Sequence, residues 1–131
     1  MERSPELRDL ILRFYAALAD GDASFIDRHF SVAEDVRGIG TDPDELWRGP
    51  GVAEAWKEQV RAMGGRMPLV AGDVEAYVEG TVGWVTDGPT LQLEGGAVGV
   101  RLTAIFHQEQ HEWKLVHVHG SVGVPNEPPG G

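Results

Sequence analysis

The sequence predicts an α+β fold in which three N-terminal helices pack on a curved, mainly antiparallel sheet. Apolar residues of the N-terminal half recur mostly at helical spacing, whereas those after residue 73 alternate as they do in strands. No internal repeat or interdomain linker divides the 131 residues. Helices followed by a strand meander are typical of α+β domains, whose helices cover one face of the sheet.

Local signals place the three helices. Ser4 predicts the start of the first helix, because it can cap the helix and is followed by Pro and Glu. Gly21 predicts its end, and Asp22 can cap a short second helix. The third helix is predicted over residues 52–63, with Trp56 on its inner side.

Strands are predicted at residues 32–39, 73–79, 82–86, 97–107 and 113–121. Between the first strand and the third helix, Asp42 and Glu45 have the spacing of a capping box around one helical turn. The same two acids could instead be carboxylates at the mouth of a pocket. Capping is the preferred interpretation, because the spacing matches it so well.

The last strand carries two histidines two residues apart, which places His117 and His119 on the same face. Strict alternation assigns to that face Trp113, Leu115, His117, His119 and Ser121. It assigns to the other face Lys114, Val116, Val118, Gly120 and Val122. Neither face is fully polar, and one helix layer covers only one of them. We therefore predict a homodimer through the outer face of the sheet.

Composition excludes several classes of function. The net charge of −10, from 11 basic and 21 acidic residues, argues against a nucleic-acid partner. The N-terminus lacks the plan of a signal peptide, and no apolar run approaches the ~20 residues that cross a bilayer, so no membrane partner is predicted. The absence of cysteine fits a reducing compartment, and a cytoplasmic location is predicted.

Several residues are candidates for a ligand pocket. Arg101 lies in a strand predicted to be buried, so it needs an anion, either a neighbouring carboxylate or the carboxylate of a ligand. Trp47, Trp56 and Trp84 could line an apolar pocket or fill the core. Tyr15 could donate its hydroxyl into the pocket or cover the helix edge. The predicted pocket residues are Tyr15, Trp47, Trp56, Arg101 and Thr103.

His117 and His119 are the candidate catalytic residues. Alternatively, they are pH-sensitive groups at a dimer contact, or the first two ligands of a metal ion completed by His107 or His111. No spacing identifies a third ligand, so neither a metal nor a cofactor is predicted.

Three segments of the chain resemble the SnoaL-like superfamily, which includes nuclear transport factor 2 and ketosteroid isomerase. They are residues 14–22, 39–49 and 113–121, the last of which resembles the closing strand of the kinase association-domain branch. The resemblance covers nearly the whole chain. It implies a cone-shaped α+β barrel with a pocket at its open end, and frequent dimers through the outer sheet face. We therefore predict one SnoaL-like domain over residues 1–124. The proline- and glycine-rich residues 125–131 predict a flexible tail.

The resemblance also argues against ketosteroid isomerase activity. The tyrosine and two aspartates of that branch fall on Phe14, near Gly38 or Ile39, and on Thr103, so neither a base nor an oxyanion donor remains in place. Two functions stay open. One is a pocket that binds a small organic molecule, as in an isomerase, dehydratase, cyclase or hydrolase. The other is a non-catalytic association module similar to the kinase association domain.

Overall fold

The computed structural model describes residues 1–127, and its three helices are α1 (Pro5–Asp20), α2 (Ser24–His29) and α3 (Gly51–Ala62). The predicted start of α1 is confirmed, because Ser4 Oγ accepts a hydrogen bond of 3.1 Å from Leu7 N–H. Its predicted end is also confirmed, because Gly21 has the left-handed φ of 72°. No helix within residues 1–127 is long and apolar enough to cross a membrane.

Residues 1–127 form ten strands, which confirms the α+β class. They are β1 (Glu2–Arg3), β2 (Arg37–Ile39), β3 (Leu46–Arg48), β4 (Leu69–Val70), β5 (Glu75–Glu79), β6 (Val82–Asp87), β7 (Thr90–Leu93), β8 (Gly96–Gly99), β9 (Arg101–Glu109) and β10 (Glu112–Ser121). Part of the tail predicted at residues 125–131 lies outside the described residues.

The strands form two sheets. The larger has the order β1-β5-β6-β9-β10-β2-β3, and the smaller has the order β4-β7-β8. All pairs are antiparallel except that of β10 with β2, so the sheet is mainly antiparallel as predicted. Within residues 1–127 the larger sheet ends at β1 and β3, which do not pair with each other. The larger sheet is therefore not closed, and the cone-shaped α+β barrel stays a prediction.

Three local predictions need correction. The strand predicted at 32–39 is only β2, because the chain turns at Glu34 and Asp35 before it pairs with β10. The strand predicted at 97–107 is interrupted at Val100, because β8 pairs with β7 in the small sheet while β9 joins the large one. Residues 42–45 form a hydrogen-bonded turn instead of a helical turn, and this turn leads into β3.

The large sheet has a buried face and a more exposed face. In β9, Leu102, Ala104 and Phe106 are buried, whereas Arg101 and Thr103 between them are exposed. We call these the inner and outer faces. The core continues from the inner face into the helices, and α1 contacts β4, β5 and β6.

A β-bulge in β10 overturns the predicted assignment of its faces. The register with β9 shifts between Leu115 and His117, so one extra residue stands on β10. Leu115 is buried on the inner face with 1% of its surface exposed, and Val118 is buried after the bulge. His117 and His119 share a face as predicted, and this is the outer face, opposite to that of Leu115. An added residue reverses the alternation of every side chain that follows it.

Candidate functional site

A cavity of about 300 Å³ opens between α3, the β2–β3 segment and the small sheet. Its lining is mostly apolar and includes Trp47, Trp56, Met63, Leu69 and Leu102. Polar side chains are contributed by Thr41, Glu45 and Gln59. An apolar wall with few polar groups is the usual construction of a small-molecule site.

Trp47 lies against the cavity because β2 carries glycine opposite it. Gly38 pairs with Trp47 in the β2–β3 hairpin. A Cβ atom at Gly38 would lie 3.2 Å from Trp47 Cε3 and 3.0 Å from Val52 Cγ1. Such contacts are too close for a side chain to be added without movement. The glycine therefore lets Trp47 and Val52 pack directly on the β2 backbone.

Glu45 combines the two roles that the sequence left open. One carboxylate oxygen, Oε1, accepts a 3.0 Å bond from Asp42 N–H, as a capping box would. The other, Oε2, accepts a 3.1 Å bond from Gln59 Nε2 on α3. Glu45 also lines the cavity, whereas Asp42 does not. Its carboxylate is thus held in a fixed position at the cavity wall.

Trp56 lines the cavity at the point where α3 meets the core. It is 8% exposed, and its ring centroid lies 5.3 Å from that of Phe14 and 6.4 Å from that of Phe30. Among the described residues, its buried indole N–H has no hydrogen-bond partner. Trp56 is therefore both a core residue and a cavity residue.

Gln59 was not identified from the sequence. It follows Trp56 by three residues on α3, which places both side chains on one face of the helix. This spacing was the only available signal, because the bond to Glu45 depends on how the β2–β3 hairpin meets α3.

Tyr15 lies outside the cavity and is bonded to a buried aspartate. Its hydroxyl donates a 2.9 Å bond to Asp87 Oδ2, and Asp87 is only 4% exposed. The Asp87 carboxylate also accepts bonds from Gly72 N–H and Gly88 N–H. Burial, reinforced by the Asp87 charge, raises the pKa of Tyr15 above its ordinary value. Both helix neighbours, Phe14 and Tyr15, are buried.

Asp87 was not identified from the sequence either. It stands two residues after the buried Val85 in β6, so strand alternation alone would have placed it on the inner face. In the sheet it is directly paired with Leu102, which lines the cavity. The Tyr15–Asp87 pair is therefore one strand away from the cavity wall.

The sequence matches the SnoaL-like domain over residues 7–125. The chain belongs to the SnoaL-like domain family. No curated protein matches this SnoaL-like sequence.

Solved structures share the SnoaL-like fold. An NTF2-like protein of unknown function from Pseudomonas putida has a TM-score of 0.81 at 19% identity, covering 93% of this chain and 87% of its own. A "putative dehydratase from the NTF2-like family" of Streptomyces avermitilis has a TM-score of 0.75 at 18% identity, covering 92% and 95%. A "putative calcium/calmodulin-dependent protein kinase type II association domain" of Thiobacillus denitrificans has a TM-score of 0.76 at 20% identity, covering 95% and 98%.

Arg101 and Thr103 of this SnoaL-like domain lie on the outer face, across the sheet from Trp47 and Trp56. The predicted burial of Arg101 is wrong, because Arg101 lies on the outer face of β9, where Thr103 is exposed as well. Arg101 Nε instead donates a 3.2 Å bond to Ser121 Oγ on the neighbouring strand. The structure therefore brings together two of the five predicted pocket residues.

The two histidines also lie away from the cavity of the SnoaL-like domain. Partial burial, with a smaller contribution from the charge of His119, lowers the pKa of His117 below its ordinary value. Within residues 1–127, no three or more His, Cys, Asp or Glu side chains come together as metal ligands would.

Three apolar or aromatic side chains and one imidazole cross the outer face of the SnoaL-like sheet in one row. Tyr77, Trp84, Ile105 and His117 occupy directly paired positions on β5, β6, β9 and β10. The rings of Tyr77 and Trp84 are 5.8 Å apart. We call these four residues the outer row. Each is partly exposed in the isolated chain.

Proposed function

We propose that this protein binds a small organic molecule in the cavity between Trp47 and Trp56. The observation that carries the proposal is the cavity itself, whose apolar wall contains the fixed polar pair of Glu45 and Gln59. Its volume of about 300 Å³ lies at the lower end of the range for ligand pockets, so the ligand is small.

Within this proposal, the cavity is the open end of a cone formed by α3, the inner face of the large sheet and the small sheet. Isomerase, dehydratase, cyclase and hydrolase chemistry remain open for it, and the name of the Streptomyces protein supports dehydration among them. Glu45 and Gln59 are the polar groups best placed to contact a ligand. The cysteine-free sequence supports a cytoplasmic location.

A ligand screen with paired tryptophan variants tests the proposal. A ligand at 100 times its Kd stabilises the folded state by about 2.7 kcal/mol, which a thermal shift detects. We expect Trp47→Leu to abolish the shift produced by any small aromatic compound that binds. The matched variant Trp84→Leu, on the outer face, should retain it. An equal loss in both variants, or no stabilising compound, would contradict the proposal.

A second proposal concerns the outer face, and the outer row is the observation that favours it. We propose that two copies of the chain associate through Tyr77, Trp84, Ile105 and His117. Aromatic residues are enriched in protein interfaces, and Tyr77, Trp84 and Ile105 are three large, neighbouring side chains that such an interface would cover. The fold shared with the Thiobacillus protein, named as a kinase association domain, supports an association role.

A further inference from the structure

We infer that the cavity selects small organic cations, namely protonated amines on an apolar body, over organic carboxylates. The inference rests on the proposed ligand binding and adds the chemical class of the ligand. It depends on the charge of the cavity wall, on the bonding of Glu45 and on the two tryptophan rings.

The charge of the wall is negative. Among residues 1–127, Glu45 is the only lining residue with an ionisable side chain, and none of the lining residues is a lysine, arginine or histidine. Arg101, the cation expected to meet a ligand carboxylate, lies on the outer face. A carboxylate entering this cavity would meet a like charge with no compensating cation, at a site where charges interact more strongly than in water. A cation would instead find a counter-ion.

The Glu45 carboxylate has acceptor capacity left for a ligand. A carboxylate offers about four lone-pair sites, and two are used by Asp42 N–H and Gln59 Nε2. Those two bonds hold the carboxylate in position before a ligand arrives. A preorganised acceptor costs little conformational entropy when a ligand ammonium group binds to it.

The aromatic lining favours the same class of ligand. A cation over the face of a tryptophan ring is attracted by the ring quadrupole, and Trp47 and Trp56 both line this cavity with Glu45. The net charge of −10 also raises the concentration of cations near the molecule. The wall charge, the rings and the whole-molecule field therefore all favour an organic cation.

Three probes that share a phenyl ring and differ in charge test the inference. Calorimetry with phenethylamine, phenethyl alcohol and hydrocinnamate presents a cation, a neutral group and an anion to the same cavity. We expect phenethylamine to bind at least about tenfold more tightly than hydrocinnamate. Added salt should weaken phenethylamine binding, because screening reduces the attraction between charges. Both measurements use the unaltered chain.

The variant Glu45→Gln assigns the preference to one side chain. It keeps the size of the residue and an oxygen acceptor, and should bring phenethylamine and hydrocinnamate to within about threefold of each other. Glu94→Gln removes the same charge from an exposed turn and should keep the wild-type preference. Equal binding of all three probes, or a preference unchanged in Glu45→Gln, would overturn the inference and leave the ligand pocket standing. Binding of none of the three would count against the pocket itself.

Discussion

A single buried carboxylate joins α1 to β6. Burying a carboxylate is costly unless donors replace its water, and Asp87 receives donors from a tyrosine and two backbone amides. The Tyr15 hydroxyl is the only one of these donors that comes from a helix. The bond therefore fixes the position of α1 on the sheet, behind the cavity wall.

Replacing Tyr15 with phenylalanine should destabilise the protein. The ring is retained, but the buried Asp87 carboxylate loses one of its hydrogen-bond donors. Such a loss at a buried charge costs about 1.5–3 kcal/mol. Urea denaturation at neutral pH measures the change in the free energy of unfolding. Tyr77→Phe, on the partly exposed outer row, should change it by less than about 0.5 kcal/mol. Similar values for the two variants would show that the Tyr15–Asp87 bond contributes little.

The same variant should alter stability at alkaline pH. The raised pKa of Tyr15 means that the unfolded chain releases this proton near pH 10, while the folded chain retains it. The contribution of Tyr15 is therefore complete below about pH 10 and is lost as the pH rises above that value. Tyr15→Phe should remove this part of the alkaline decline in the free energy of unfolding.

At the scale of elements, local signals predicted the helices well and the strands less well. Ser4 and Gly21 act within one turn of α1, so the sequence alone places both ends of that helix. The strands β1, β3, β4 and β7 were not predicted, because with two to four residues each they are too short to show a clear alternation pattern. The bulge in β10 is invisible to an alternation pattern, since nothing in the sequence marks Val116 as the extra residue.

The residues of the candidate site also include some that local signals predict and some that they do not. Trp47 and Trp56 were predictable from their aromatic character and from the stripe on α3. Glu45 was recognised, but its role in the cavity depends on the β2–β3 hairpin meeting α3. The predicted environment of Arg101 is wrong, because the sequence pattern does not reveal that only one face of its strand is buried. The positions of Glu45 and Arg101 therefore depend on contacts between segments that local sequence signals do not reveal.

Gly40, the residue that follows β2, should control the shape of the cavity. A Cβ at Gly40 would overlap Glu45 Oε1 and lie 2.7 Å from Trp47 Cη2. We expect Gly40→Ala to displace both side chains, lower stability by about 1–3 kcal/mol and weaken phenethylamine binding. Gly99→Ala is the matched control, because no atom lies within 4 Å of its added Cβ. Calorimetry and urea denaturation give the two readouts, and wild-type binding in Gly40→Ala would refute this role.

At the scale of the whole molecule, the large sheet separates two surfaces with different properties. The inner face leads to the cavity. The outer face carries the outer row, which includes His117, and also carries His119. The bulge in β10 produces this separation, because it turns His117 and His119 away from the side to which Leu115 points. Ligand binding and self-association can therefore be altered independently by variants on opposite faces.

Self-association is tested by placing a charge in the outer row. Ile105→Glu should convert a dimer into a folded monomer, because burying a carboxylate from each subunit at the interface costs free energy and places like charges near each other. Val70→Glu introduces the same charge at a 54% exposed position in the small sheet and should leave the dimer intact. Leu115→Asp is unsuitable for this test, since Leu115 is in the core and its substitution should unfold the chain.

Light scattering at micromolar concentration measures the mass of each variant, while circular dichroism confirms that it is folded. A monomeric wild type, or a dimeric Ile105→Glu, would mean that the outer row is not the contact between subunits.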